Sequence, residues 1–309
     1  MGISHGANET VNGSVTAKQQ FPIWKRWVRF QSDDGKIYGG EPVDSDVDVG
    51  TAIINKHEVA VRIVEGGSAL DHDAQFTGET RVIQKLLSPV SQQEAGTVRC
   101  IGLNYKEHAA EMKLALPSTP TVFLKADTCI ASAAEPIVLP SNVECDEADY
   151  EVELAIIIGK LCKDVSVADA QSYVLGYATA NDVTARQHQD RTSQWSYAKG
   201  MDGFCPLGPC IVSTESIPNP ADLNLRTSLN GKTMQNGYAD DMIFSVPEIV
   251  SHLSKPQGHT LRPGTVIITG TPCGIGVSQN PPRFLQPGDK LRISISHGLG
   301  TQVCEITRD

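Results

Sequence analysis

Residues 149–159 read Asp-Tyr-Glu-Val-Glu-Leu-Ala-Ile-Ile-Ile-Gly, so acidic side chains at every second position run directly into a continuous apolar stretch. Successive side chains of a strand alternate between its faces, and the spacing therefore places Asp149, Glu151 and Glu153 on one face. Like charges stacked this closely repel unless a cation sits among them. A hard divalent cation with oxygen ligands (magnesium, manganese or calcium) is the simplest candidate. The alternative is an edge strand with a solvated acidic face. Asp182 follows the apolar run Val174 to Ala180, where it is placed either to supply a third ligand or to cap the strand end.

A metal that handles an anionic substrate needs cations nearby to hold the substrate's charge, and Arg186 and Lys199 are candidates; the competing reading makes them surface charges. Gln189 and Trp195 are readable as ligand contacts or as packing and surface residues. His108 and Glu111 lie three apart in a segment with helical spacing, which puts a base and an orienting carboxylate on one face. Val266 to Gly276 reads as a buried strand emptying into a glycine-rich loop whose N–H groups and threonine hydroxyls suit a carboxylate or phosphate. Its glycine spacing is not that of a dinucleotide fingerprint, and Pro281-Pro282 stands where a helix would have to open.

The elements that position these groups are mostly strands. Strands are predicted at Val98–Gly102, Val122–Lys125, Tyr150–Ile158, Val174–Ala180, Leu223–Leu229 and Leu261–Thr269, and helices over Tyr105–Lys113, Ser166–Val174 and Val246–Leu253. Short alternating runs from Trp24 to about Leu87 (WVRFQ, KIYGG, TAIIN, VAVRIV) predict a small β-rich N-terminal unit, residues 21–96, with residues 1–20 as a floppy polar tail and 97–309 as the main domain. The fold class is α+β, dominated by β.

The chain has 309 residues and a net charge of −10, which gives no support to nucleic-acid binding. No apolar run approaches the roughly 20 residues that would cross a bilayer. Eight cysteines without zinc spacing read as reduced thiols, which places the protein inside the cell, in the cytoplasm before the mitochondrion.

Six ordered blocks, GLNYKEHAAEM, FLKA, DYEVELAIIIGK, NDVTAR, AKGMDGFCPLGP and IITGTPCGIG, resemble the fumarylacetoacetate hydrolase family from about Val98 to the C-terminus. The resemblance implies a mixed β-sandwich roll, assembled as a homodimer. It assigns the metal carboxylates to Glu151, Glu153 and Asp182, which leaves Asp149 a neighbour. The active-site lysine falls on Lys199 and the lid pair on His108 and Glu111. Gln189 and Thr271 match positions that contact a bound oxo-acid, Lys125 matches a lysine near the pocket, and Arg186 joins them as a substrate-binding residue. Where founding members carry a further metal aspartate, this chain reads Arg99-Cys100-Ile101-Gly102, which points to the family's smaller members.

The chemistry so implied starts from magnesium chelated by a small 2-oxo acid, with manganese or calcium as substitutes, and an enolate formed at C3. The segments CPLGP and Asn280 to Leu285, with Pro287-Gly288-Asp289 behind, resemble the branch of the family that contains the oxaloacetate tautomerases, which implies oxaloacetate keto–enol tautomerisation. Oxaloacetate decarboxylation and hydrolysis of acylpyruvate or fumarylacetoacetate-type substrates are the alternatives. A reading of another class is a non-catalytic paralogue that binds an oxo-acid. Specificity is expected in the loops Leu114 to Thr121 and Met234 to Asp241.

Overall fold

The computed structural model describes residues 22–144, 147–256 and 258–309. The expected tail at 1–20 lies outside them, as does Cys145; the cysteines that are described are all free thiols.

Two sheets form the body. The larger, 12-stranded sheet runs in the order Phe76–Val82, Ala60–Val64, Ile37–Pro42, Arg26–Gln31, Cys205–Ser213, Val174–Asn181, Val152–Ile158, Val266–Ile268, Val98–Gly102 and Thr121–Lys125. Two short strands, Lys85–Leu87 and Ile130–Ser132, attach to Arg26–Gln31 and Cys205–Ser213. A five-stranded sheet has the order Lys232–Tyr238, Asn224–Leu229, Lys290–Ile295, Gly300–Arg308 and Ile137–Leu139. Most ladders are antiparallel, but Val266–Ile268 runs parallel to Val98–Gly102, as expected of a mixed sheet. The fold is thus the β-dominated α+β architecture anticipated. The N-terminal strands continue the large sheet, with Arg26 opposite Val212 and Trp27 opposite Ile211.

The strand Val152–Ile158 is sandwiched, which explains its unbroken apolar text. Val152, Leu154, Ile156 and Ile158 pack with Leu225, Leu291 and Ile293 of the smaller sheet. Ala155 and Ile157 pack on the opposite side with Trp27, Val98 and Ile268. At roughly 1.5–3 kcal/mol for each fully buried large aliphatic side chain, this strand is among the best-anchored parts of the molecule.

Predicted and observed elements differ in instructive places. The run TAIIN, read as strand text, lies in a helix, Val49–Ile54, whose N-cap Asp48 accepts a hydrogen bond from Thr51 N at 2.9 Å. A short apolar run does not distinguish the two states, and here the cap decides. Ser166 caps as expected, but its helix is a single turn, Val167–Ala170, followed by a 3-10 turn at Gln171–Tyr173. The expected strand Leu261–Thr269 shortens to Val266–Ile268.

Candidate active site

Register brings the acidic residues together. In the antiparallel pair, Val152 lies opposite Asn181 and Glu153 opposite Ala180. Just beyond that end, Asp182 N donates to Glu151 O at 2.9 Å. Glu151, Glu153 and Asp182 thereby meet in a buried group whose candidate ligand oxygens all lie within 4.8 Å of one another.

Asp149 is separated from them. The backbone leaves the strand conformation at Tyr150 and Glu151, and Asp149 belongs to a two-stranded ribbon, Ala148–Asp149 with Thr184–Ala185. The single continuous acidic face expected from alternation is therefore broken. Asp149 instead accepts from Gly276 N (2.7 Å), Val277 N (3.0 Å) and Arg186 Nε (2.9 Å).

Basic side chains buttress the acidic group. Lys199 Nζ donates to Glu151 Oε2 (2.9 Å), Asp182 Oδ2 (2.7 Å) and Thr184 Oγ1 (2.7 Å), which engages all three ammonium protons. Burial disfavours its charge, but Asp182 and Glu151 outweigh burial and raise its pKa. Arg186 forms ion pairs with Asp149 (2.8 Å) and Glu151 (2.6 Å), and its Nη1 donates to Gln189 Oε1 at 3.1 Å. Lys125 has no exposure toward the cavity. Its ammonium sits behind Asp182, 2.5 Å from Oδ1, and donates to Phe204 O at 2.7 Å, so the structure makes it a support for a carboxylate where a substrate contact was expected.

The carboxylates differ electrostatically. Burial opposes the charge of Glu151, yet Lys199 and Arg186 prevail and hold its pKa down at about 2. Glu153 is pushed the other way, by burial and then by Asp182 and Glu151. No basic group lies within ion-pair distance of Glu153 among the described residues; its partner is Gly270 N–H, 2.7 Å from Oε2. A buried carboxylate crowded by two others, in an all-oxygen donor set, fits a hard divalent cation. Glu151, Glu153 and Asp182 are the residues that would hold it.

These groups floor a cavity of about 300 Å³, in the size range of small-molecule sites. Arg186, Gln189, Lys199 and Thr271 line it on the polar side, and His108 lines it too. The rest of the wall is mostly apolar, with Ile101, Leu103, Met112, Leu114, Phe123, Trp195 and Ile275, and it also carries Thr121 and Asp190. Trp195 packs edge-on against Phe123, with ring centroids 5.4 Å apart. Gly102 lies under the indole, where a Cβ would approach Trp195 to 2.5 Å. Phe123 escaped the sequence reading, although it stands two residues before Lys125 on one strand face. Of the two loops expected to set specificity, Leu114 and Thr121 reach the cavity. Met234–Asp241 belongs mainly to the strand Lys232–Tyr238, from which Gln235 Nε2 donates to Thr271 Oγ1 at 2.7 Å.

The helix Lys106–Glu111 carries the lid pair, with His108 Nδ1 3.0 Å from Glu111 Oε2. Burial works against the charge of Glu111, but bonds from His108, Ser278 Oγ (2.6 Å) and Gly274 N (2.9 Å) lower its pKa below the ordinary value. An ionised Glu111 can only accept, so Nδ1 carries a proton; in the neutral imidazole this leaves the lone pair on Nε2. The glycine-rich loop does bind carboxylates, as its composition suggested, but they are the protein's own: Glu153 on Gly270, Glu111 on Gly274 and Asp149 on Gly276.

A buried carboxylate cluster able to hold a metal ion, a basic flank and a histidine–glutamate pair thus surround one small cavity. The family profile "Fumarylacetoacetate (FAA) hydrolase C-terminal" matches residues 97–307. The chain is 39% identical over 283 residues to a caffeoylpyruvate hydrolase of Neonothopanus nambi, covering 90% of this chain and 91% of that protein. It is 42% identical over 213 residues to an oxaloacetate tautomerase of Bacillus subtilis, covering 68% of this chain and 69% of the relative. The crystal structure of a 2-hydroxyhepta-2,4-diene-1,7-dioate isomerase from Mycobacterium marinum superposes with a TM-score of 0.75 at 36% identity, covering 92% of this chain and 99% of that one. The protein belongs to the fumarylacetoacetate hydrolase family, and it is an enzyme of that family.

Proposed function

We propose that the protein is a magnesium-dependent enzyme of small 2-oxo acids bearing a second carbonyl group, and that oxaloacetate keto–enol tautomerisation is its reaction. The observation that carries this reading is the convergence of Glu151, Glu153 and Asp182 at the floor of a cavity that also receives Arg186, Gln189 and His108. Glu151, Glu153 and Asp182 would hold a divalent cation, magnesium or in its place manganese or calcium, which when bound would supply Lewis acidity toward the 2-oxo group. Arg186 and Gln189 bind and orient the substrate carboxylate, and Thr271 offers its hydroxyl beside them. Lys199 opposes the negative charge that develops as the C3 proton leaves. His108 Nε2 takes and returns that proton, held in the required tautomer by Glu111, while the docked helix excludes water. The homodimer and the cytoplasmic location inferred from the family resemblance and the thiols complete the proposal; light scattering tests the former. Among the described residues no helix is long and apolar enough to cross a membrane.

A second reading, hydrolysis of an acylpyruvate, is favoured by the apolar wall. Oxaloacetate brings a second carboxylate, whereas Phe123, Trp195, Met112 and Leu114 suit an apolar acyl group. The caffeoylpyruvate hydrolase that matches over nine-tenths of both chains supports the same view. Proton NMR of the purified protein with oxaloacetate, then with an aryl or alkyl acylpyruvate, each with magnesium and with EDTA, separates the possibilities. Accelerated magnesium-dependent keto–enol exchange without pyruvate supports the tautomerase. Pyruvate from oxaloacetate points to decarboxylation, and pyruvate plus a free acid from an acylpyruvate points to hydrolysis. Inactivity on all of them, with magnesium bound, overturns the proposal.

A further inference from the structure

Away from the cavity lies a second acid–base arrangement that the sequence reading did not single out. The ribbon register, with Ala148 opposite Ala185 and Asp149 opposite Thr184, places Glu147 opposite Arg186. Arg186 N donates to Glu147 O at 2.9 Å. Glu147 and Asp149 share a face by alternation, and their carboxylates take one base each: Asp149 holds Arg186 at Nε (2.9 Å), and Glu147 Oε1 lies 3.0 Å from His188 Nδ1. Glu147 is fully buried; its Oε1 also accepts from Glu144 N at 3.2 Å, and among the described residues its Oε2 has no hydrogen-bond partner. A buried carboxylate so placed is costly unless its other interactions are well made.

His188 also joins two short helices. It belongs to Arg186–Asp190, whose Arg186 and Gln189 line the cavity, and its ring faces that of Tyr197 at 5.7 Å between centroids. Tyr197 belongs to Ser196–Lys199, the helix that presents Lys199, and its hydroxyl accepts from Asn142 Nδ2 at 3.2 Å. Helices this short have little stability of their own, so contacts of this kind must hold them.

We propose that Glu147 and His188 are positioning residues: their pairing locks the helix Arg186–Asp190 so that Arg186 and Gln189 present a preformed fork to the carboxylate of the substrate. The proposal rests on the cavity being a 2-oxo-acid site. Neither residue lines the cavity, so the effect is on binding, transmitted through Arg186 and Gln189.

The test is calorimetric titration of oxalate, a planar dianion resembling the carboxylate and enolised oxo group of a 2-oxo acid, into magnesium-saturated protein. His188→Leu weakens oxalate by about tenfold or more, since small displacements of a positioning group are amplified in a preorganised site. Its affinity for magnesium alone changes far less, since Lys199 still braces Glu151 (2.9 Å) when Arg186, the other partner of that carboxylate, shifts. His188→Asn, whose amide can donate from the position of Nδ1, recovers oxalate binding to within roughly threefold of wild type. In turnover, KM for the 2-oxo acid rises in His188→Leu while kcat stays within about twofold. Should His188→Leu fail to fold with Glu147 unpaired, the double variant Glu147→Gln/His188→Leu removes the buried charge and still binds oxalate weakly. Wild-type oxalate affinity in His188→Leu, or in the double variant, overturns the positioning role alone, as does loss of magnesium affinity alongside that of oxalate. Wild-type protein that takes up magnesium but not oxalate overturns the underlying reading of the cavity, and the proposal with it.

Discussion

The floor of the cavity and its lid are built from unequal materials. Glu151, Glu153 and Asp182 stand at the ends of two adjacent strands buried on both faces, and Lys125, Lys199 and Arg186 brace them through bonds that cross the sheet. His108 and Glu111 stand on a six-residue helix that is held to the glycine-rich loop through Gly274 N, Ser278 Oγ and Cys273 Sγ and to Asp241 through Glu107 N. The floor is preorganised, as a charge-stabilising site must be, and the lid is held by a few contacts that can be made and broken. Chemistry that depends on a cation belongs to the rigid wall. In the mechanism proposed above, proton transfer, which needs exclusion of water and then release of product, belongs to the helix that carries His108 and Glu111.

The sharpest way to break this division is Glu153→Ala. It removes a donor that has no cationic partner, so magnesium binding and turnover disappear together, and unchanged magnesium affinity by calorimetry would sink the ligand assignment. His108→Ala acts on the lid alone: kcat falls by about 10²–10⁴ while magnesium binds as before, the range found for loss of a general base. Full activity in that variant would make the histidine–glutamate pair irrelevant to the reaction. Lys125→Met tests whether the floor is held from behind. Removing one partner of a buried ion pair costs about 3–5 kcal/mol, so urea unfolding of the metal-free variant should show a midpoint far below wild type. A small change would mean that Asp182 relaxes without its lysine.

Two milder changes sharpen the contrast. Trp195→Ala opens the apolar wall and raises KM for an acylpyruvate roughly 10-fold or more, at about 1–3 kcal/mol for a modest apolar contact, with oxaloacetate little affected; equal losses on both would place the indole against the shared part of the substrates. Ser278→Ala removes one bond to Glu111 and loosens the lid by about 1 kcal/mol. Glu111 has a lowered pKa, so its contribution to docking is present above the ordinary carboxylate range and is lost as pH falls through its folded value. In Ser278→Ala that loss begins at a higher pH, which amide hydrogen exchange over residues 105–113 can follow.

The text of the chain made the large features legible for identifiable reasons. Strand Val98–Gly102 could be read to the residue, because an apolar run there is bounded by turn formers. Helix Val246–Ser254 was readable over Val246–Leu253, and the structure adds a local device at its start, Ser245 N and Oγ donating to Glu248. Gln189 and Thr271, named from family resemblance, do line the cavity. Lys125 was legible as a lysine near the pocket, but a resemblance carries the residue's neighbourhood and not which way its ammonium points, which is to Asp182. The loop at Gly270–Gly276 shows a similar split: its taste for carboxylates was visible, but the carboxylates proved to come from Glu153, Glu111 and Asp149. Glu147 and His188 left no signal, because their partnership depends on the register of a ribbon between segments some forty residues apart.

By itself, then, the sequence determined the β-dominated class, the acidic residues able to take a hard cation and the histidine–glutamate spacing, since each depends on residue types a few positions apart. Only the tertiary structure decided that Asp149 pairs with Arg186 and the Gly276 and Val277 amides, that Lys125 supports Asp182 and that Trp195 and Phe123 pack together in the cavity wall. Those outcomes depend on strand register and on which buried charge finds which partner, and both are settled by packing across the whole sheet.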